Sequence, residues 1–94
     1  MHDDRAMTAD QLFALSRAFR AEAGFWPERT ARGLVRAANQ LRETAYLIGS
    51  EVFDVETGHV WLTAGAMQLD EMVAIREGRA ISYSPPLDRR VRRE

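Results

Sequence analysis

The segment from Pro27 to Ile48 constrains the fold most, because it can form one long helix with two different faces. Arg29, Arg32 and Arg36 share one side of that helix, and polar residues follow them. Such a helix buries one face and presents a basic face to solvent. Apolar residues recur on the other side at alternating spacings of four and three, which defines a narrow stripe: Leu34, Ala38, Leu41, Ala45 and Ile48.

Size and composition limit the class of protein. A chain of 94 residues with 46% hydrophobic and 29% charged residues is typical of a single soluble globular domain. No apolar run is long enough for a transmembrane helix, and the acidic N-terminal residues differ from a secretory signal. The absence of cysteine removes disulfides, thiol catalysis and cysteine-based zinc sites. These features predict a cytoplasmic protein that does not act in a membrane.

The charges are segregated along the chain. All 13 basic residues are arginine, which together with abundant alanine suggests a bacterial or phage origin, since GC-rich codons favour both. The net charge is +2 over residues 1–42, −6 over residues 43–77 and +3 over residues 78–94. A basic–acidic–basic chain can satisfy its charges by folding one block on another, or by pairing head to tail with a second copy.

The first half of the chain predicts a helical hairpin. Residues 1–7 are expected to be a flexible leader, residues 8–84 a single domain and residues 85–94 a basic flexible tail. Thr8 and Gln11 have the spacing of a capping box, so a first helix is predicted from Ala9 to Ala23. The connection to the second helix is short and contains Pro27, which favours an antiparallel pair.

The second half predicts a small sheet and a third helix. Two β-rich runs between Val52 and Thr63 flank Glu56-Thr57-Gly58, which places Gly58 in the turn of a β-hairpin. A helix is predicted from Ala66 to Glu77, followed by a strand over residues 79–84. The predicted fold class is α+β, with the order α-α-β-β-α-β, in which the helical hairpin and the third helix pack on a small antiparallel sheet.

Residues with catalytic or metal-binding patterns are scarce. The chain lacks His-x-x-His spacing, a Ser–His–Asp set, a phosphate-binding glycine loop and a helical pair of metal ligands. The sequence therefore predicts no enzyme, no cofactor, no bound metal and no small-molecule substrate. A small enzyme without a recognisable motif is the third hypothesis.

The leading hypothesis is a non-catalytic binding protein, such as a regulator, inhibitor or adaptor, that acts through a protein partner or by self-association. Arg29, Arg32 and Arg36 are the predicted polar contact surface, and Trp61 and Tyr46 are the predicted apolar anchors, because tryptophan, tyrosine and arginine are over-represented at interface hot spots. A homodimer is left open, since the apolar stripe of the second helix can also serve as a coiled-coil seam.

The alternative hypothesis is a regulator that binds nucleic acid. It would use the arginine face of the second helix together with an arm in the tail, where arginine is densest. The arm consists of Arg89, Arg90, Arg92 and Arg93. Two simpler interpretations stay open: the arginines of the helix form an ordinary solvated face, and the tail folds over the acidic middle block.

Overall fold

A computed structural model describes residues 4–79, and these form three helices with no strand among them. The helices are α1 (Asp4–Ala23), α2 (Glu28–Gly49) and α3 (Val55–Glu77). α1 and α2 form an antiparallel hairpin, and α3 packs along it with more contacts to α1 than to α2. The predicted α+β fold with a small sheet is therefore wrong, because the described chain is a three-helix bundle.

The core lies between α1 and α2, and the predicted apolar stripe of α2 provides its centre. All five stripe residues, from Leu34 to Ile48, are buried. α1 supplies Leu12 and Phe19, whose side chains are both fully buried. Ser16 donates a hydrogen bond of 2.8 Å to the carbonyl of Ala38, which ties the two helices together at mid-length. The prediction of a long two-faced helix in this segment is confirmed.

The predicted β-hairpin over residues 52–63 is also wrong, because α3 begins inside it. The Asp54 carboxylate accepts hydrogen bonds from the backbone N–H of Thr57 at 2.9 Å and from its hydroxyl at 2.6 Å, which caps the helix start. The valines, tryptophan and threonine that follow favour strands by composition. Propensity of this kind is weak, however, and tertiary packing overrides it here.

Gly58 and Gly65 explain why α3 packs closely on the hairpin. They are seven residues apart, so they lie on the same helix face, and both are buried. A Cβ on Gly58 would come within 2.6 Å of Thr8 Cγ2, and a Cβ on Gly65 within 2.8 Å of Leu15 Cδ2. Gly58 is therefore a helix-packing residue rather than a turn residue.

α1 starts earlier than predicted. It begins at Asp4, so residues 4–7 of the expected leader belong to the helix, and Thr8 lies inside it with its side chain buried. Arg5 Nη1 donates hydrogen bonds to the carbonyls of Ile48 at 2.8 Å and Phe53 at 2.9 Å. The Ile48 carbonyl also accepts the backbone N–H of Glu51 at 3.1 Å, so Arg5 adds a second hydrogen bond there and links the start of α1 to the loop after α2.

The end of α3 agrees with the prediction. Gly78 adopts a left-handed conformation with φ of 75°, which a glycine takes without steric cost, and the helix stops there. Arg79 follows outside any strand. The rest of the predicted third strand and the tail, with Arg89, Arg90, Arg92 and Arg93, lie outside the described residues.

Candidate protein-contact face

The predicted polar surface of α2 and the predicted anchor Tyr46 lie on one side of the same helix. They belong to a row whose members are separated alternately by three and four residues, which keeps them in line along a helix. All members of the row are exposed, and Tyr46 is 61% exposed. The row consists of Arg29, Arg32, Arg36, Asn39, Glu43 and Tyr46.

α1 contributes to this surface through two direct contacts. Arg20 Nη2 donates a hydrogen bond of 2.7 Å to Asn39 Oδ1. Phe13 meets Tyr46 edge to face, with ring centroids 5.0 Å apart and an interplanar angle of 82°. Because Phe13 precedes Arg20 while Tyr46 follows Asn39, the two contacts fix the antiparallel register of the hairpin on this side.

That register places Arg17 and Arg42 opposite each other. Arg17 lies four residues after Phe13 on α1, and Arg42 lies four residues before Tyr46 on α2. Both side chains therefore occupy the level between the two contacts, and both are exposed. We call the surface formed by Arg17, Arg20, Arg29, Arg32, Arg36, Arg42 and Tyr46 the arginine face.

The arginine face carries a surplus of positive charge. Among the described residues, the only ion pair that it forms joins Arg32 to Glu28 over 4.0 Å, with both side chains largely exposed. A pair of this kind contributes little, because water screens it. Arg20 is bound to a neutral amide rather than to a carboxylate. Within the described residues no hydrogen bond or ion pair engages the guanidinium groups of Arg17, Arg29, Arg36 or Arg42, so these four can bind external carboxylate or phosphate oxygens.

The arginine face is turned away from α3. The residues of α2 that approach α3 include Leu41, whose side chain lies beside Gly65, and Ile48, whose side chain lies beside Gly58. Trp61, the other predicted anchor, lines a small cleft between α2 and α3 and is partly buried against the core. The structure therefore brings Tyr46 together with the arginines and separates Trp61 from them.

The outer face of α3 is a second exposed surface, and the predicted hairpin over residues 52–63 concealed it at the level of sequence. Its apolar residues are exposed to a large extent: Val60 by 66%, Met67 by 59% and Ile75 by 51%. The helical spacing of these residues was the available signal. We define the α3 outer face as Glu56, Val60, Ala64, Met67, Glu71 and Ile75.

Glu22 is the buried carboxylate of the bundle, and its partners explain it structurally. Arg76 binds it with two hydrogen bonds, one of 2.9 Å from Nη2 to Oε1 and a shorter one from Nε to Oε2. Trp26 Nε1 donates a third, of 2.9 Å. The hydrogen bonds from Arg76 hold the pKa of Glu22 below its ordinary value despite burial. This cluster joins the end of α3 to the end of α1.

The described residues contain no group of three or more His, Asp or Glu side chains that could hold a metal ion. His59 lies 3.3 Å from the Thr8 hydroxyl, at the contact between α3 and α1. No helix within residues 4–79 combines the length and the apolar character required to cross a bilayer. Comparison with protein-family models, curated proteins and solved structures finds no match for this chain.

Proposed function

We propose that this chain is a non-catalytic binding protein whose arginine face docks an acidic segment of a protein partner. The observation that carries the proposal is the gathering of six arginines and an exposed tyrosine on one side of the α1–α2 hairpin, with a single weak ion pair among the described residues. A cytoplasmic location, in keeping with the absence of cysteine, belongs to the same proposal.

The chemistry of the surface supports a protein partner. Each guanidinium presents a planar fork that can bind a carboxylate through two hydrogen bonds. Arg17 and Arg42 lie at the same level on the two helices, so an acidic segment that crosses the hairpin at this level meets an arginine from each helix. Tyr46 offers a rigid amphipathic ring, held edge to face by Phe13, which is the kind of residue that dominates interface energetics.

Nucleic acid is the alternative partner, because phosphate oxygens suit the same guanidinium groups. The distribution of charge favours the protein partner. The chain has a formal net charge of −1, so the rest of the molecule, including the acids of α3 on the other side of the bundle, is negative overall. A long phosphate backbone would meet repulsion beyond the arginine face, whereas a short acidic segment would not.

Fluorescence anisotropy tests the proposal with defined probes: a labelled helical peptide with glutamate and leucine at helical spacing, and labelled single-stranded and duplex oligonucleotides. We expect the peptide to bind at low salt and Arg42→Glu to weaken that binding about tenfold or more, as for loss of a close charge pair. Arg79→Glu is the matched control, because it reverses one exposed arginine outside the arginine face, and it should change the affinity little.

The results separate the hypotheses. Equal effects of the two charge reversals would show that net charge, not the arginine face, drives binding, and would overturn the proposal. Failure of the peptide to bind at low salt would do the same. Tight, strongly salt-dependent binding of an oligonucleotide without peptide binding would replace the protein partner by nucleic acid.

A further inference from the structure

We infer that a second copy of this chain supplies the acidic partner: the α3 outer face of one molecule docks on the arginine face of the next, head to tail. This inference rests on the proposed role of the arginine face and names its partner. Three features of the structure lead to it: the apolar character of the α3 outer face, the sign of its charges, and its position relative to the arginine face.

The α3 outer face has apolar residues that no other described residue covers. The inner face of α3 already packs on the hairpin through Gly58, Gly65 and the partly buried Leu62. Val60 and Met67 lie on the opposite side, and each is more than half exposed. A helix with apolar residues on two opposite faces can pack on two partners, and the α1–α2 hairpin provides one of them.

The charges on and beside this surface are negative, and none of them is paired within residues 4–79. Glu56, Asp70 and Glu71 form no ion pair among the described residues. The two arginines at the end of α3 are already engaged, Arg76 by Glu22 and Arg79 by Glu77 at 2.8 Å. A symmetric contact between two α3 helices would bring acids against acids, whereas the arginine face of another copy offers the complementary charge.

The geometry of the two surfaces matches this contact. At the rise of an α-helix, the row from Arg29 to Tyr46 is about 26 Å long and the α3 outer face from Glu56 to Ile75 about 28 Å. The arginine face is turned away from α3, so one molecule cannot close the contact on itself. When two molecules make this contact, one arginine face and one α3 outer face remain free in the pair. Further copies can therefore add, which gives an open chain or a closed ring.

Sedimentation velocity on the full chain tests the inference. We expect the average mass to rise with protein concentration at low salt and to fall again when salt is added, because the contact is largely electrostatic. Arg42→Glu blocks the arginine face and Met67→Glu blocks the α3 outer face. Both side chains are exposed, so the variants should fold, which circular dichroism verifies. Each variant alone should be monomeric.

A mixture of the two variants is the decisive measurement. Arg42→Glu keeps an intact α3 outer face and Met67→Glu keeps an intact arginine face, so an equimolar mixture should form a dimer and nothing larger. A mixture that stays monomeric would overturn the inference, as would a wild-type chain that is monomeric up to the millimolar range. If that monomer still binds the acidic peptide through Arg42, the proposed function stands and only the identity of the partner falls.

Discussion

Replacement of Gly58 by alanine tests whether α3 packs on the hairpin as closely as the structure shows. The added Cβ would lie 2.6 Å from Thr8 Cγ2 and 3.2 Å from Ile48 Cδ1. Both side chains are almost fully buried. Thr8 cannot turn aside easily, because it is β-branched and its hydroxyl contacts His59. The helix must therefore move away from its neighbours or distort.

Two opposing terms determine the size of the effect. Alanine favours a helix over glycine by about 1 kcal/mol. Overpacking a filled site costs about 1–3 kcal/mol, and the approach to two core side chains places Gly58 in the upper part of that range. We therefore expect Gly58→Ala to lower the free energy of unfolding by a net amount of about 1–2 kcal/mol. For a domain of this size, each kcal/mol corresponds to a fall in Tm of about 4–8 °C.

The chain provides matched controls at other helical glycines. A Cβ on Gly33 meets nothing within 4 Å, so Gly33→Ala should stabilise the protein by about 0.5–1 kcal/mol. The stability of Gly65→Ala should lie between those of Gly58→Ala and Gly33→Ala, because the added Cβ approaches only the flexible end of the Leu15 side chain. The double variant Thr8→Ser/Gly58→Ala lacks the methyl group that obstructs the added Cβ. It should therefore recover part of the unfolding free energy that Gly58→Ala loses.

Urea denaturation followed by circular dichroism at the helical minimum measures all of these variants. The reasoning requires the order Gly33→Ala, Gly65→Ala, Gly58→Ala from most to least stable. If Gly58→Ala were as stable as Gly33→Ala, α3 would not cross the hairpin at this glycine. The assignment of residues 55–63 to a packed helix would then be refuted.

Two further predictions concern the ends of α3. The hydrogen bonds from Arg76 hold the pKa of Glu22 below its ordinary value, so the stability that the carboxylate contributes is fully present above that ordinary value and is lost as pH falls through the lower pKa of the folded state. Glu22→Gln should therefore flatten the acid limb of a plot of unfolding free energy against pH. Asp54→Ala should lower the free energy of unfolding, because it removes the acceptor of the two hydrogen bonds from Thr57. Asp54→Ser should lower it less, because serine is also a good N-cap residue. Equal losses of unfolding free energy in urea titrations of the two variants would contradict a capping role.

The predictions that succeeded from sequence depend on periodicity within one helix. The stripe of α2 alternates large and small apolar residues over its whole length, and every member is buried. The left-handed Gly78 at the end of α3 was likewise predictable, because a glycine after a helical pattern commonly ends it. Asp54 and Thr57 carried a capping signal at the start of α3 that the sequence analysis did not use.

The prediction that failed depended on composition in a short window. Val52 to Thr63 contains valines, tryptophan and a central glycine, which together are typical of a hairpin. The preference of such residues for strands is small, and packing outweighs it. Gly58 illustrates the ambiguity, since the absence of a side chain suits both a turn and a close helix crossing. Local sequence does not distinguish these two uses.

The candidate site was partly predictable. The exposure of Arg29, Arg32, Arg36 and Tyr46 on one row follows from their spacing along α2. The contribution of α1 does not, because the opposition of Arg17 and Arg42 depends on the register of the hairpin. Trp61 belongs to a different segment of the chain, and the packing of α3 places it partly buried against the core.

The sequence by itself determined where α2 lies, which of its faces is buried and where α3 ends, because these properties depend on residues a few positions apart. Tertiary structure alone decided that residues 55–77 form one helix, that Glu22 meets Arg76 across 54 positions, and that basic and acidic surfaces point in different directions. The reason is physical: a helix period is encoded locally, whereas the partner of each helix face is set by how the three helices pack together.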